Sequence, residues 1–187
     1  MNPNDNFISP GSSLPGQSSD KKFFLIISLV VAVVLIIGGA LLLLGGGPST
    51  KDQLNQLSIQ LADLKNLTTE SRDNLRAEAT INLNSELQLT LTSDQMALSS
   101  ELGIGAPDEE AMQAATDSQA ASQLATAKTD GTYDKTYKKI VTQKLSAIAA
   151  QAADVYKSSS NDQVKNSMQS VYDHFTALSQ RLSEARL

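Results

Sequence analysis

The sequence predicts an all-α protein: a single N-terminal transmembrane helix followed by an extracytoplasmic four-helix bundle. Three observations lead to that class. An apolar run of 22 residues, Phe23 to Leu44, has Ser28 as its only polar member. Beyond it, large apolar residues recur at alternating spacings of three and four, the period of one helix face. Gly and Pro, which interrupt regular structure, are absent from Thr50 to Leu102 and after Gly131. The predicted organisation is a disordered cytoplasmic tail at 1–22, the transmembrane helix at 23–44, a linker at 45–50 and a helical bundle domain at 51–187.

The tail is rich in Asn, Ser, Gly and Pro, and its sizeable apolar side chains beyond the initiator are Phe7, Ile8 and Leu14. Such a segment cannot bury enough surface to offset its ordering entropy. The apolar run is long enough to cross a bilayer, since 22 helical residues rise about 33 Å against a hydrocarbon core of about 30 Å. A secretory signal carries a shorter apolar region followed by a small-x-small cleavage site. Here the run ends in Gly45-Gly46-Gly47-Pro48 with no Ala-x-Ala after it, so a retained signal anchor is expected. Lys21 and Lys22 abut its N-terminal side, and only Lys51 lies close on the other. That bias places the N-terminus in the cytoplasm and the following domain outside. No G-x-x-x-G interrupts the run, and Ser28-x-x-x-Ala32 is a weak small-residue pair, so a lone span is expected.

Within the domain, Leu54, Leu57, Leu61 and Leu64 form the first helical stripe. The next stretch has two periods. Ile81, Leu83, Leu87, Leu89 and Leu91 nearly alternate, as in a half-buried strand, whereas Leu75, Ala79, Leu83, Leu87, Leu91, Leu98 and Leu102 follow a slowly drifting helix face. A lone strand would have no pairing partner, so a helix is predicted, stopped by Gly103. Pro107 with Asp108, Glu109 and Glu110 then opens a new segment, its acids favoured by the helix dipole. An Ala-, Gln-, Ser- and Thr-rich helical crossover follows from Ala111 to Lys128, anchored by Met112 and Leu124, and Gly131 ends it. Tyr133, Tyr137, Val141, Leu145, Ile148, Ala152 and Val155 predict the third long helix. Val164, Met168, Val171, Phe175, Leu178, Leu182 and Ala185 predict the fourth, beginning near Asp162 with Ser160 or Asn161 as its cap. The short "KSSSND" between them implies an antiparallel hairpin.

Gly103-Ile104 with Pro107, the run "GTYDKTYKKIV" at Gly131–Val141, and "NDQVKNSMQSVYDHFTALSQRL" near the C-terminus carry a resemblance. Over about Gln53 to Leu187 the domain resembles a family of bacterial envelope proteins of unknown function, described as ferritin-like four-helix bundles. It is also similar to membrane-anchored proteins of the Saccharibacteria and their relatives. The resemblance implies a ferritin-like arrangement of hairpins joined by a crossover. The family often carries histidines in helices two and three, where this chain has Gln88 and Gln143. Di-iron bundles need inward Glu residues and a Glu-x-x-His motif, and none occurs here, because Val171 stands three before His174.

Composition narrows function further. There is no cysteine, hence no disulfide, zinc–thiolate site or cysteine nucleophile. Residues after Lys22 hold 13 Lys and Arg against 18 Asp and Glu and carry the whole net charge of −5, which disfavours nucleic acid. The densest basic group, Lys135, Lys138, Lys139 and Lys144, reads as a solvated helix face. His174, the single histidine, reads as structural, and Tyr133, Tyr137, Tyr156 and Tyr172 as core tyrosines with hydroxyls at the surface. Asn66-Leu67-Thr68 is a glycosylation sequon, discounted outside a eukaryote. No Gly-x-Ser-x-Gly occurs. No catalytic, cofactor-binding or metal-ligating residue is therefore assigned, and no cofactor is expected. The expected role is non-enzymatic, at the cell membrane with one span, displaying the bundle for contact with another protein, such as an envelope or cell-surface protein, or with a surface. The alternative is a ferritin-like domain binding a metal or small ligand through interior Asp and Glu.

Overall fold

The computed structural model describes residues 49–186, all within one compact unit, Pro48–Leu187. The predicted tail, transmembrane helix and most of the linker lie outside the described residues. Among the described residues no helix is long and apolar enough to cross a membrane, and every regular element is helical: α1 Thr50–Ser71, a 3-10 turn Arg72–Asn74, α2 Glu78–Leu102, α3 Glu109–Ala115, α4 Ser118–Thr129, α5 Tyr133–Ser158 and α6 Asp162–Glu184.

Four long helices make the bundle. α5 and α6 share the most extensive contact, α1 lies against α2 and α5, and α2 lies against α6. The order around the ring is thus α1, α2, α6, α5. Cross-contacts give the directions: Lys65 meets Gln95, and Ser58 meets the Gly105 carbonyl, so α1 and α2 are antiparallel. Asp63 meets Lys144, and Ser71 meets Tyr133, so α1 and α5 are antiparallel too. α2 and α5 therefore run the same way across the diagonal, and the chain must travel the bundle's length between them. The α3–α4 crossover does this, with α3 on α1 and α4 on α5. The predicted helical crossover is made of two helices. The chain breaks at Thr116 and Asp117, where the Asp117 carboxylate accepts the Ala120 N–H at 2.9 Å and starts α4. Leu124 is buried and Met112 half-buried.

The helix ends follow local chemistry. Ser49 and Asp52 form a reciprocal capping box on α1. Asp108 caps α3 and Asn161 caps α6, so Asn161 rather than Ser160 is the cap. Gly103 and Gly131 take the left-handed conformation, φ 66° and 69°, that ends α2 and α4. The first, third and fourth predicted stripes are buried, except that Ala185 falls just past α6 and is half-buried.

α2 departs most from its predicted face. Leu75 is buried but sits in the extended segment before the helix, and Ala79 is exposed. The inward positions are Thr80, Asn84, Leu87, Leu91, Asp94 and Leu98, spaced 4, 3, 4, 3 and 4 apart. Leu87, Leu91 and Leu98 of the predicted face are thus buried and Leu83 and Leu102 pack against the core, while the polar half of the inward face is not traced by hydrophobicity. Ile81 and Leu89, which produced the alternation, point outward. The helix also lacks a capping side chain of its own, because Ala77 stands at the cap. Asp134 of α5 supplies one: its carboxylate accepts the Arg76 N–H at 3.1 and 3.2 Å and the Ala77 N–H at 3.0 Å. Asp134→Ala should cost about 1 kcal/mol in urea unfolding, with Asp134→Asn recovering part of it. Equal loss in the two variants would contradict the capping role.

Candidate functional site

Three polar clusters sit inside or along the bundle, each joining elements far apart in sequence. The first is His174 with Asp94. The imidazole Nδ1 lies 3.0 and 3.2 Å from the two Asp94 oxygens. The ring is 48% exposed, whereas the Asp94 side chain is 5% exposed and lies on the core face of α2 between Leu91 and Leu98. Burial pushes the Asp94 carboxyl above its ordinary range, and His174 opposes that shift only in part. The imidazole therefore stands at the bundle surface with Nδ1 against a buried acid. Its partner, an acid nearly enclosed in the core, was not anticipated, although Asp94 sits at helical spacing between Leu91 and Leu98.

The second cluster lies at the start of α5. The Tyr137 hydroxyl donates to Asn84 Oδ1 across the bundle diagonal, and the Tyr133 hydroxyl donates to Ser71 Oγ at 3.0 Å. Burial, with the neighbouring Tyr133 adding to it, raises the Tyr137 phenol above the ordinary tyrosine range. These two hydroxyls were expected at the surface. Both are inside, because α1 and α2 present small polar partners, Ser71 and Asn84, at the matching height. Tyr156 and Tyr172 do lie partly exposed, and Lys165 Nζ stands 5.9 Å from the Tyr156 ring centre.

The third cluster joins the crossover to the bundle. Lys144 Nζ bridges Asp63 at 2.9 Å and Asp117 at 3.1 Å. Burial alone would lower the Lys144 ammonium, but Asp63 and then Asp117 outweigh it and hold it above the ordinary lysine range. For Asp117, burial is likewise outweighed by the Ala120 N–H and Lys144, so its carboxyl lies below the ordinary range. Beside this bridge, between α1 and α4, opens a cleft of about 290 Å³. The predicted basic face is thus not uniformly solvated: Lys144 is committed to two acids, and Lys138 Nζ donates to the Ala185 carbonyl at 2.6 Å.

The remaining singled-out residues do not converge. Asp108, Glu109 and Glu110 are exposed at the start of α3. Gln143 is exposed, while Gln88 is half-buried with its Nε2 lacking a hydrogen-bond partner. Thr68 of the sequon is fully buried in α1 and donates to the Lys65 carbonyl. Among the described residues no three His, Asp or Glu side chains gather where they could hold a metal ion. The chain matches no protein-family model, no curated protein and no solved structure.

Proposed function

We propose that this is a single-pass, membrane-anchored envelope protein that displays a non-catalytic, ferritin-like four-helix bundle outside the cytoplasm for contact with another protein. The anchor rests on the apolar run 23–44 and on Lys21 and Lys22 before it. The ferritin-like reading rests on two antiparallel hairpins joined by a full-length crossover.

The contact role is carried by the outward ridge of α2. Ile81, Ser85, Leu89, Ser93, Met96 and Ser100 are all exposed, at spacings of 4, 4, 4, 3 and 4. Leu89 is 73% and Met96 66% exposed. The ridge carries no charge of its own: of the carboxylates between Ala79 and Ser100, Asp94 is buried and Glu86 pairs with Arg181. In a domain this acidic, an uncharged apolar ridge suits a protein partner with an apolar, uncharged surface of its own.

Photo-cross-linking from the position of Ser93 in intact cells should trap one protein, and Leu89→Asp with Met96→Asp should abolish the product while helicity by circular dichroism is kept. Stoichiometric iron or manganese in the purified protein would overturn the reading. So would digestion of the domain by external protease only after cell lysis. A small-ligand role is the second reading, and the α1–α4 cleft is what favours it.

A further inference from the structure

The α1–α4 cleft goes beyond the display role, because a display surface needs no concave site with its own chemistry. Its existence has a local cause. α4 packs on α5, and the residues it turns toward the cleft include Ala121 and Ala125, one turn apart, too short to fill the space beside Leu67 of α1. The Lys144 bridge from Asp63 to Asp117 props the two walls at one end, and the Tyr133–Ser71 hydrogen bond closes the floor. At about 290 Å³ the volume sits at the small end of ligand sites.

The charges in the cleft are of two kinds. Asp63 and Asp117 are satisfied by Lys144. Glu70 and Lys128 also line the cleft. The structure gives neither an ion-pair or side-chain hydrogen-bond partner among the described residues; the Glu70 backbone carbonyl alone accepts a bond, from Asn74. One wall therefore offers the exposed carboxylate of Glu70 and the other the exposed ammonium of Lys128, and Leu67, Leu124 and Ala125 add an apolar strip to the lining.

We propose that this cleft binds a small zwitterion, a free α-amino acid or the corresponding group of a short peptide. Glu70 takes the ligand's ammonium, Lys128 takes its carboxylate, and the α-substituent rests on the apolar strip. Charge-assisted hydrogen bonds at both ends favour a ligand carrying both charges over one carrying either alone.

The test is calorimetric titration of the full chain in detergent with L-alanine and with L-alanyl-L-alanine. N-acetyl-L-alanine, which lacks the ammonium, and L-alaninamide, which lacks the carboxylate, serve as controls. Saturable binding of at least one zwitterion is expected, with each blocked probe weaker by about tenfold or more. Glu70→Gln, Lys128→Gln and the cleft-filling Ala125→Leu should each lose about as much, with melting temperatures close to that of the parent. The absence of saturable binding by both zwitterions would overturn the proposal. So would binding that blocked probes share equally, or that Ala125→Leu leaves intact. None of these readouts involves a protein partner or membrane topology, so failure here is distinct from failure of the display role.

Discussion

Replacing Tyr137 by phenylalanine should destabilise the bundle by about 2 kcal/mol, because a buried acceptor loses its donor. Asn84 Oδ1 faces the core from α2, and the Tyr137 hydroxyl is the partner the structure gives it. Tyr137→Ala should cost about 4 kcal/mol, since it adds a cavity where a side chain 1% exposed now packs. Asn84→Leu alone should also destabilise by stranding the hydroxyl. The double variant Tyr137→Phe with Asn84→Leu should recover most of either loss, as replacing both partners by apolar groups removes the unmet polar atom. Urea unfolding of the four proteins measures the coupling. Strictly additive losses would mean the hydroxyl and amide do not depend on each other.

Removing His174 should destabilise the protein in a pH-dependent way. Asp94 has a folded-state pKa raised above its ordinary value, burial being the main cause. The folded protein therefore holds that proton more tightly than the unfolded chain, and this group's contribution to stability is present at low pH and lost as pH rises through the raised value. His174 opposes the shift. With His174→Ala the carboxylate loses that partner, so the loss should reach about 2 kcal/mol near pH 8 and shrink near pH 4 as Asp94 takes up its proton. Asp94→Asn, which keeps an acceptor for the imidazole but buries no charge, should be neutral or stabilising near pH 8 and should flatten the dependence. Thermal unfolding of the three proteins from pH 4 to pH 8 checks this. An equal loss for His174→Ala at both ends would remove Asp94 from the explanation.

These two clusters also mark where the sequence was readable. α1, α5 and α6 carry their apolar residues on one face, and that face is the core, so their stripes, the hairpin turn before Asp162 and the stops at Gly103 and Gly131 were legible from spacing and turn chemistry. α2 was legible as a helix and in the apolar part of its face, since Leu87, Leu91 and Leu98 are buried and Leu83 and Leu102 pack against the core, but its polar core positions were not. Thr80, Asn84 and Asp94 occupy core positions, which their polarity hides, while Ile81, Leu89 and Met96 occupy outer ones off the predicted helix face. The crossover was legible as helical, but its break at Asp117 was not, since Asp117 is a single cap within an otherwise helix-forming run.

The sequence by itself determined the helical class, the length of the apolar run before the domain, and the apolar inward positions of the four long helices. Those properties are local: they depend on period, length and end-capping residues within one segment. Only the tertiary structure decided which polar side chains enter the core and which meet. Asp94 reaches His174 across 80 residues of chain, Asn84 reaches Tyr137 across 53, and Asp63 reaches Lys144 across 81. In each of these pairs another element brings the partner at the same height, and no single segment contains that information.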